Sequence, residues 1–261
     1  METGPPPNAF KRALREGRTQ IGLWCALGSP TGAEILAHAG FDWVLVDTEH
    51  APNEAPNVLE LLRALHGGTA SPVVRPAWND PVILKRLLDL GAQSLLVPYV
   101  QTAAEAERAV AASRYPPRGI RGVASLHRAN AYGARKEYLQ RAHEETCVVV
   151  QIETGAAAAE VEAIAAVEGV DGVFVGPSDL SASLGHLGNS AHPQVQSLIA
   201  DICARARRAG KPVGILAPVE EDARRFLAMG FSFVAVGSDL SVLRLGAERL
   251  RGAFAAEAPR G

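Results

Sequence analysis

The chain has 261 residues, 48% of them hydrophobic, and a net charge of -2. That length suits one large α/β unit or two small ones, and the near-neutral balance argues against nucleic acid, which would require a clustered basic face. Three scattered cysteines (Cys25, Cys147, Cys203) exclude a disulfide framework and a structural zinc site, and no apolar run reaches the ~18 residues of a membrane span. Met1 to Asn8 holds three consecutive prolines and no apolar core, so it does not read as a signal peptide. A reducing cytoplasm is the expected location, with poor order expected over Met1–Pro7 and Ala255–Gly261.

In chain order, a strand is predicted over Gln20–Trp24 and a helix over Thr31–Ala39. Then a phrase begins that recurs along the chain: helix, glycine, short apolar strand. It reads Ala39-Gly40-Phe41-Asp42-Trp43-Val44-Leu45-Val46, then Leu90-Gly91-Ala92-Gln93-Ser94-Leu95-Leu96-Val97. It returns as Gly169-Val170-Asp171-Gly172-Val173-Phe174-Val175 and Gly230-Phe231-Ser232-Phe233-Val234-Ala235-Val236. Glycine supplies the left-handed helix cap, and a continuous apolar run is a strand buried on both faces. Strands over Pro72–Arg75, Cys147–Ile152 and Pro212–Leu216 fall between. Helices fit Asn53–Leu65, Pro81–Leu90, Ala103–Ser113, Ala156–Ala166, Pro193–Arg208 and Glu220–Met229. Eight strands alternating with helices give a (β/α)8 TIM barrel over residues 1–261. An open doubly wound sheet competes, but Gly22–Gly28 does not supply the Gly-x-Gly-x-x-Gly turn it normally carries. Tyr115–Thr146 is far longer than an ordinary connection of about 2–6 residues, and reads as a lid or a subunit contact.

Barrels place functional side chains at the carboxyl ends of strands. Val44-Leu45-Val46-Asp47-Thr48-Glu49-His50 discharges two carboxylates and an imidazole at such an end. Alternation puts Asp47 and Glu49 on one face. His50, three residues after Asp47, is close enough for that carboxylate to orient its ring, which makes it a candidate acid/base. Arg75 ends the third strand. Its guanidinium stays charged, so it either pairs with Asp47 or Glu49 or faces a developing oxyanion or enolate. Trp24, closing the first strand, is a candidate substrate contact. Gln151 and Glu153 end the fifth strand, and Asp179 follows the sixth in Gly176-Pro177-Ser178-Asp179-Leu180-Ser181. Glu153 and Asp179 are hard oxygen ligands without cysteine or paired-histidine company. They suit Mg²⁺, Mn²⁺ or a similar octahedral ion, the alternative being a salt-bridge network. Backbone amides near Ser178 can cradle a substrate carboxylate, although such turns are also common helix starts. Schiff-base chemistry needs a lysine at the catalytic end of a strand. Lys211 precedes its strand and Lys11, Lys85 and Lys136 fall in helices or loops, so imine chemistry is disfavoured.

These blocks, with Val74-Arg75-Pro76, Leu88-Asp89-Leu90-Gly91-Ala92-Gln93 and Pro117-Arg118-Gly119-Ile120-Arg121-Gly122, stand in an order that resembles the HpcH/HpaI family of metal-dependent pyruvate aldolases. The resemblance runs from about Gly22 to Leu243. It implies reversible cleavage of 4-hydroxy-2-oxo acids to pyruvate and an aldehyde through an enolate, with Mg²⁺, Mn²⁺ or Co²⁺ held by Glu153 and Asp179. Arg75 would steady the enolate oxygen, and Gln151, Ser178 and Asp179 would support pyruvate. His50 with Asp47 would handle the hydroxyl proton, with Asp89 completing the dyad from a neighbouring subunit. The resemblance further implies a homohexamer with an exchanged helix after Asp239. An acyl-CoA or citryl lyase on the same barrel, and a barrel kept for binding alone, are the rival readings.

Overall fold

The computed structural model describes residues 3–254. Its strands are β1 (Gln20–Cys25), β2 (Trp43–Asp47), β3 (Ser71–Arg75), β4 (Ser94–Val97), β5 (Cys147–Ile152), β6 (Gly172–Val175), β7 (Val213–Leu216) and β8 (Phe233–Ser238). Each pairs in parallel with the next, and β1 pairs with β8, closing the expected (β/α)8 barrel. The helices are α1 (Ala9–Arg15), α2 (Pro30–Ala37), α3 (Ala55–Ala64), α4 (Pro81–Asp89), α5 (Ala103–Ser113), α6 (Tyr138–Glu145), α7 (Gly155–Ala159), α8 (Val161–Ala166), α9 (Pro177–Ser183), α10 (Pro193–Arg208), α11 (Glu220–Met229) and α12 (Asp239–Ala253). The helix expected over Ala156–Ala166 is divided at Glu160, whose backbone leaves the helical region.

The strands are apolar on both faces because each face meets a separate core. Outward side chains such as Val44, Val74 and Ile152 pack under the helices. Inward ones, Trp24, Trp43, Leu45, Val73, Leu96, Phe174 and Phe233, fill the barrel. Room for the rings comes from glycine: a Cβ on Gly22 would strike the Trp43 indole, and one on Gly214 the Phe233 ring. Phe10 of α1 plugs the amino-terminal mouth, 5.7 Å from both Trp43 and Phe233. One end of the barrel is thereby sealed, and the polar side chains gather at the other.

The amino-terminal segment differs from expectation. Residues 3–7 lie along the sealed rim, where Thr3 O accepts from Glu137 N at 2.8 Å and Pro6 O accepts from Gln93 Nε2 at 2.7 Å. Residues 1–2 and the Ala255–Gly261 stretch lie outside the described residues. Among the described residues no helix is long and apolar enough to cross a membrane, and the three cysteines are buried thiols. The long 115–146 segment follows α5 and leads into β5, so it covers the amino-terminal rim. It is not a lid over its own chain's carboxyl-terminal rim.

Candidate active site

Strand register assembles the first half of the site. Asp47 and Arg75 are partners across β2 and β3, so a carboxylate and a guanidinium emerge side by side. The pair is bidentate: Arg75 Nε donates to Asp47 Oδ1 at 2.8 Å and Nη2 to Oδ2 at 2.7 Å. The remaining terminal nitrogen lies 2.8 Å from Glu49 Oε2. Both ion pairs open to Arg75 in the sequence are therefore present. Backbone ties fix the strand ends, Asn53 Nδ2 donating to Asp47 O at 2.7 Å and Thr48 Oγ1 to Arg75 O at 2.6 Å. Burial pushes the Asp47 carboxyl up, yet the Arg75 fork outweighs it and holds Asp47 below its ordinary value. Burial raises Glu49, whose attraction to Arg75 is opposed by Asp47 and Asp179. Trp24 is the floor beneath this pair, with Arg75 centred 5.4 Å above its ring.

His50 departs from the expected dyad. Its imidazole is largely exposed and stands 3.9 Å from Glu49 Oε2. Both oxygens of Asp47 accept from Arg75, and among the described residues the ring is paired with Glu49 and not with Asp47. The reason is geometric: three residues beyond Asp47 the chain has already left the strand, so His50 follows the turn and not the β2 face.

The second half comes from β5 and β6. Glu153 is 2% exposed. Its Oε1 accepts from Tyr99 N at 2.6 Å and its Oε2 from Gln151 Nε2 at 2.5 Å. Burial drives its pKa up to about 7 against those two donors, and the neighbouring charges of Glu49 and Asp179 add to the rise. Asp179 and Ser178 sit exposed in the first turn of α9. Gly176 makes the join possible, since a Cβ there would lie 2.7 Å from Glu153 Oε2 and 3.0 Å from Gln151 Nε2.

Glu49, Glu153 and Asp179 thus crowd like charge into a mostly buried rim, with Gln151 Oε1 buried and lacking a hydrogen-bond partner. Among the described residues no three His, Cys, Asp or Glu side chains are grouped as a ready-made metal cage. An all-oxygen set with few protein ligands is nevertheless what a hard ion that keeps several waters takes. The residues fit such an ion, because a cation would offset the burial and, after it, the like charge of Glu49 and Asp179 that keep Glu153 protonated to near neutral pH.

Asp89 lies elsewhere. It ends α4 on the amino-terminal rim and accepts from Arg121 Nη2 at 2.6 Å. Arg121, fully buried, stacks 4.3 Å over Tyr115. Tyr115 Oη in turn lies 3.2 Å from His127 Nε2. His127, unassigned from the sequence, belongs to this network. Lys211 contacts Val170 O and Lys11 contacts Thr146 O on the same far rim. Tyr99 has no role in the sequence reading, and Gly176 enters it only as the opening of the Ser178–Asp179 turn. Tyr99 contributes through its backbone, and Gly176 through the atoms it lacks. The strand-end rule applied to Val97-Pro98-Tyr99 was the available signal for the first.

Fold and rim define a (β/α)8 enzyme with acidic groups and one arginine converging at the carboxyl ends of its strands. Residues 20–245 match the model of the HpcH/HpaI aldolase/citrate lyase family, and the chain belongs to that family. It is 55% identical to the 5-keto-4-deoxy-D-glucarate aldolase of Citrobacter koseri, over 95% of this chain and 96% of the relative. It is 54% identical to the enzyme of the same name from Klebsiella pneumoniae, over 97% and 99%. Among solved structures, an HpcH/HpaI aldolase/citrate lyase family protein from Burkholderia cenocepacia J2315 superposes with a TM-score of 0.91 at 43% identity, covering 94% of this chain and 99% of that one. The protein is a carbon–carbon lyase of the aldolase kind, as its motifs led us to expect. Neither the acyl-CoA or citryl reading nor a purely binding barrel is favoured.

Proposed function

We propose that the protein cleaves a 4-hydroxy-2-oxo sugar acid of the 5-keto-4-deoxy-D-glucarate type to pyruvate and a short hydroxylated aldehyde. The observation that carries this is the pairing of Arg75 with an acidic rim in which Glu49, Glu153 and Asp179 oppose one another. Glu153 and Asp179 would hold a divalent ion, Mg²⁺, Mn²⁺ or Co²⁺. When bound, that ion supplies a Lewis acid toward a 2-oxo acid's carboxylate and keto oxygen.

Arg75 faces the oxygen on which enolate charge develops, a role that removal of one such group typically shows at about 10²–10³ in rate. Asp47 and Glu49 fix its plane, and Trp24 sets its height. Gln151 orients Glu153, and its buried, unpartnered Oε1 would be available to the bound acid. Ser178 and Asp179 present the start of α9 to the substrate carboxylate. His50, near Glu49, takes the proton from the hydroxyl on the carbon that leaves as aldehyde. The ring is exposed, and the transfer would run through water.

In this reading Asp89 serves a neighbouring copy, since the two rims of one barrel face apart. The assembly is a homo-oligomer, a hexamer by analogy with the family, in the cytoplasm. Leu240, Leu243 and Leu250 share one face of α12, Val242 and Leu245 lie on another, and all are exposed, apolar surface that an exchanged helix would bury. Cleavage of 5-keto-4-deoxy-D-glucarate should be measured with and without chelator, with Mg²⁺, Mn²⁺ or Co²⁺ added back. Full activity in excess chelator would sink the metal reading, and pyruvate release from no sugar acid would sink the substrate class.

A further inference from the structure

Two aromatic side chains on the catalytic rim take no part in either core. Trp78, in the β3–α4 connection, and Tyr99, in the β4–α5 connection, are half exposed, and their rings stack with centroids 5.5 Å apart and planes 28° from parallel. Tyr99 also has φ +54. A bulky residue without a local polar side chain rarely adopts that left-handed conformation, and where it does the surroundings hold it there. Only two other non-glycine residues among those described share it, Ala131 and Tyr132, both on the far rim.

The backbone explains what the conformation achieves. β4 ends at Val97, and Pro98 has no N–H to offer. The chain then turns so that Tyr99 N donates to Glu153 Oε1 at 2.6 Å while Val100 is fully buried. Aiming that N–H inward throws the tyrosine ring outward, onto Trp78. The flanks are pinned as well: Gln101 N donates to Glu105 Oε2 at 2.7 Å, and Asn79 Nδ2, next to Trp78, donates to Glu105 O at 3.0 Å. One glutamate thus ties both loops to α5.

We infer that Tyr99 is a positioning residue for Glu153, held in its strained conformation by the stack on Trp78. Glu153 has two oxygens and receives one donor on each, from Tyr99 N and from Gln151 Nε2. Those two bonds decide which lone pairs remain for a ligand. A partner that orients a ligating carboxylate typically changes metal affinity by about 10–100-fold. The inference rests on the reading of Glu153 as a metal ligand for its functional consequence, but the hydrogen bond itself can be probed without metal.

The test uses the full oligomeric protein as wild type, Trp78→Ala, Trp78→Leu and Tyr99→Phe. Amide hydrogen exchange of the 98–102 segment is followed in metal-free protein, and Mn²⁺ affinity is measured by calorimetry. Removing the stack, in either Trp78 variant, should speed exchange at Tyr99 about tenfold. It should weaken Mn²⁺ binding about tenfold while kcat recovers at saturating Mn²⁺. Tyr99→Phe keeps the stack and the backbone donor and should match wild type in both readouts. Trp78→Leu retains apolar bulk and decides the matter if the alanine variant fails to fold. Unchanged exchange and unchanged Mn²⁺ affinity in a folded Trp78 variant overturn the inference, and a change in oligomeric state alone marks the stack as a subunit contact and overturns it too. If wild type binds no Mn²⁺, the metal reading fails, and the exchange arm alone upholds or overturns the positioning role.

Discussion

Glu153 near neutral pH is divided between its two protonation states in the metal-free protein, because burial, Glu49 and Asp179 lift its pKa to about 7. In the unfolded chain the same carboxyl titrates near its ordinary 4.5. The folded state therefore holds the proton more tightly. Its contribution to stability is complete below about pH 4.5 and is lost as pH rises through about 7, a change on the order of 3 kcal/mol. Metal-free protein should melt at a lower temperature at pH 8 than at pH 5.5. Glu153→Gln should flatten that slope, and a divalent ion should raise the melting temperature most at the alkaline end. An unchanged slope in Glu153→Gln would show that another group carries it. Arg75 and His50 make a separate prediction. Arg75→Ala removes charge from an oxygen common to every enolate and should depress both aldol cleavage and oxaloacetate decarboxylation by about 10²–10³. His50→Ala should depress cleavage by about 10²–10⁴ yet spare decarboxylation, which has no hydroxyl to deprotonate. Assaying both reactions in both variants separates the roles, and equal losses in His50→Ala would refute the division.

At the level of elements, the site depends on how closely β6 approaches β5. Gly176 has an ordinary extended backbone, φ −94, so alanine there meets no backbone strain. Its methyl would instead push on Glu153 and Gln151. Gly176→Ala should cost about 1–3 kcal/mol by overpacking and weaken divalent-ion binding, which thermal melts and calorimetry would show together. The same reasoning marks what the sequence could and could not disclose. Strands such as Val44–Val46 and Leu95–Val97 were legible because a run buried on both faces has no polar interruption, and a capping glycine announces each one. Asp47, Arg75, Gln151 and Glu153 were legible as rim residues for the same reason, since each is the polar stop on an apolar strand. Their partners were not. Whether Asp47 meets Arg75 or His50 depends on the lateral register of β2 against β3, which residue types alone do not encode. Tyr99 was hidden because it works through an N–H that every residue but proline possesses. The 115–146 segment was visible as an anomaly of length, but its rim follows from the direction of α5.

For the whole molecule, the apolar face of α12 predicts association. Leu243 and Leu250 are more than half exposed, so the double substitution Leu243→Glu and Leu250→Glu should leave the barrel folded and shift the protein to smaller species. Analytical ultracentrifugation reads this directly, and an unaltered mass would remove α12 from the interface. The lysines give a check on mechanism at the same scale. Lys11 and Lys211 lie on the far rim, Lys85 is on α4 and Lys136 in the 115–146 segment, and none ends a strand, so borohydride with pyruvate should leave no adduct, and intact mass spectrometry would detect one.

Asp89 and His50 occupy opposite ends of one barrel, and if both serve the reaction, as proposed above, a lone chain could not complete its own active centre. Two crippled genes could then rescue each other. A subunit carrying Asp89→Ala still offers a sound His50, and a subunit carrying His50→Ala still offers a sound Asp89. Co-expressed, the two should build mixed assemblies in which some centres draw one good residue from each parent, so activity returns where either variant alone has little. Separately purified variants that do not exchange subunits should show no such recovery.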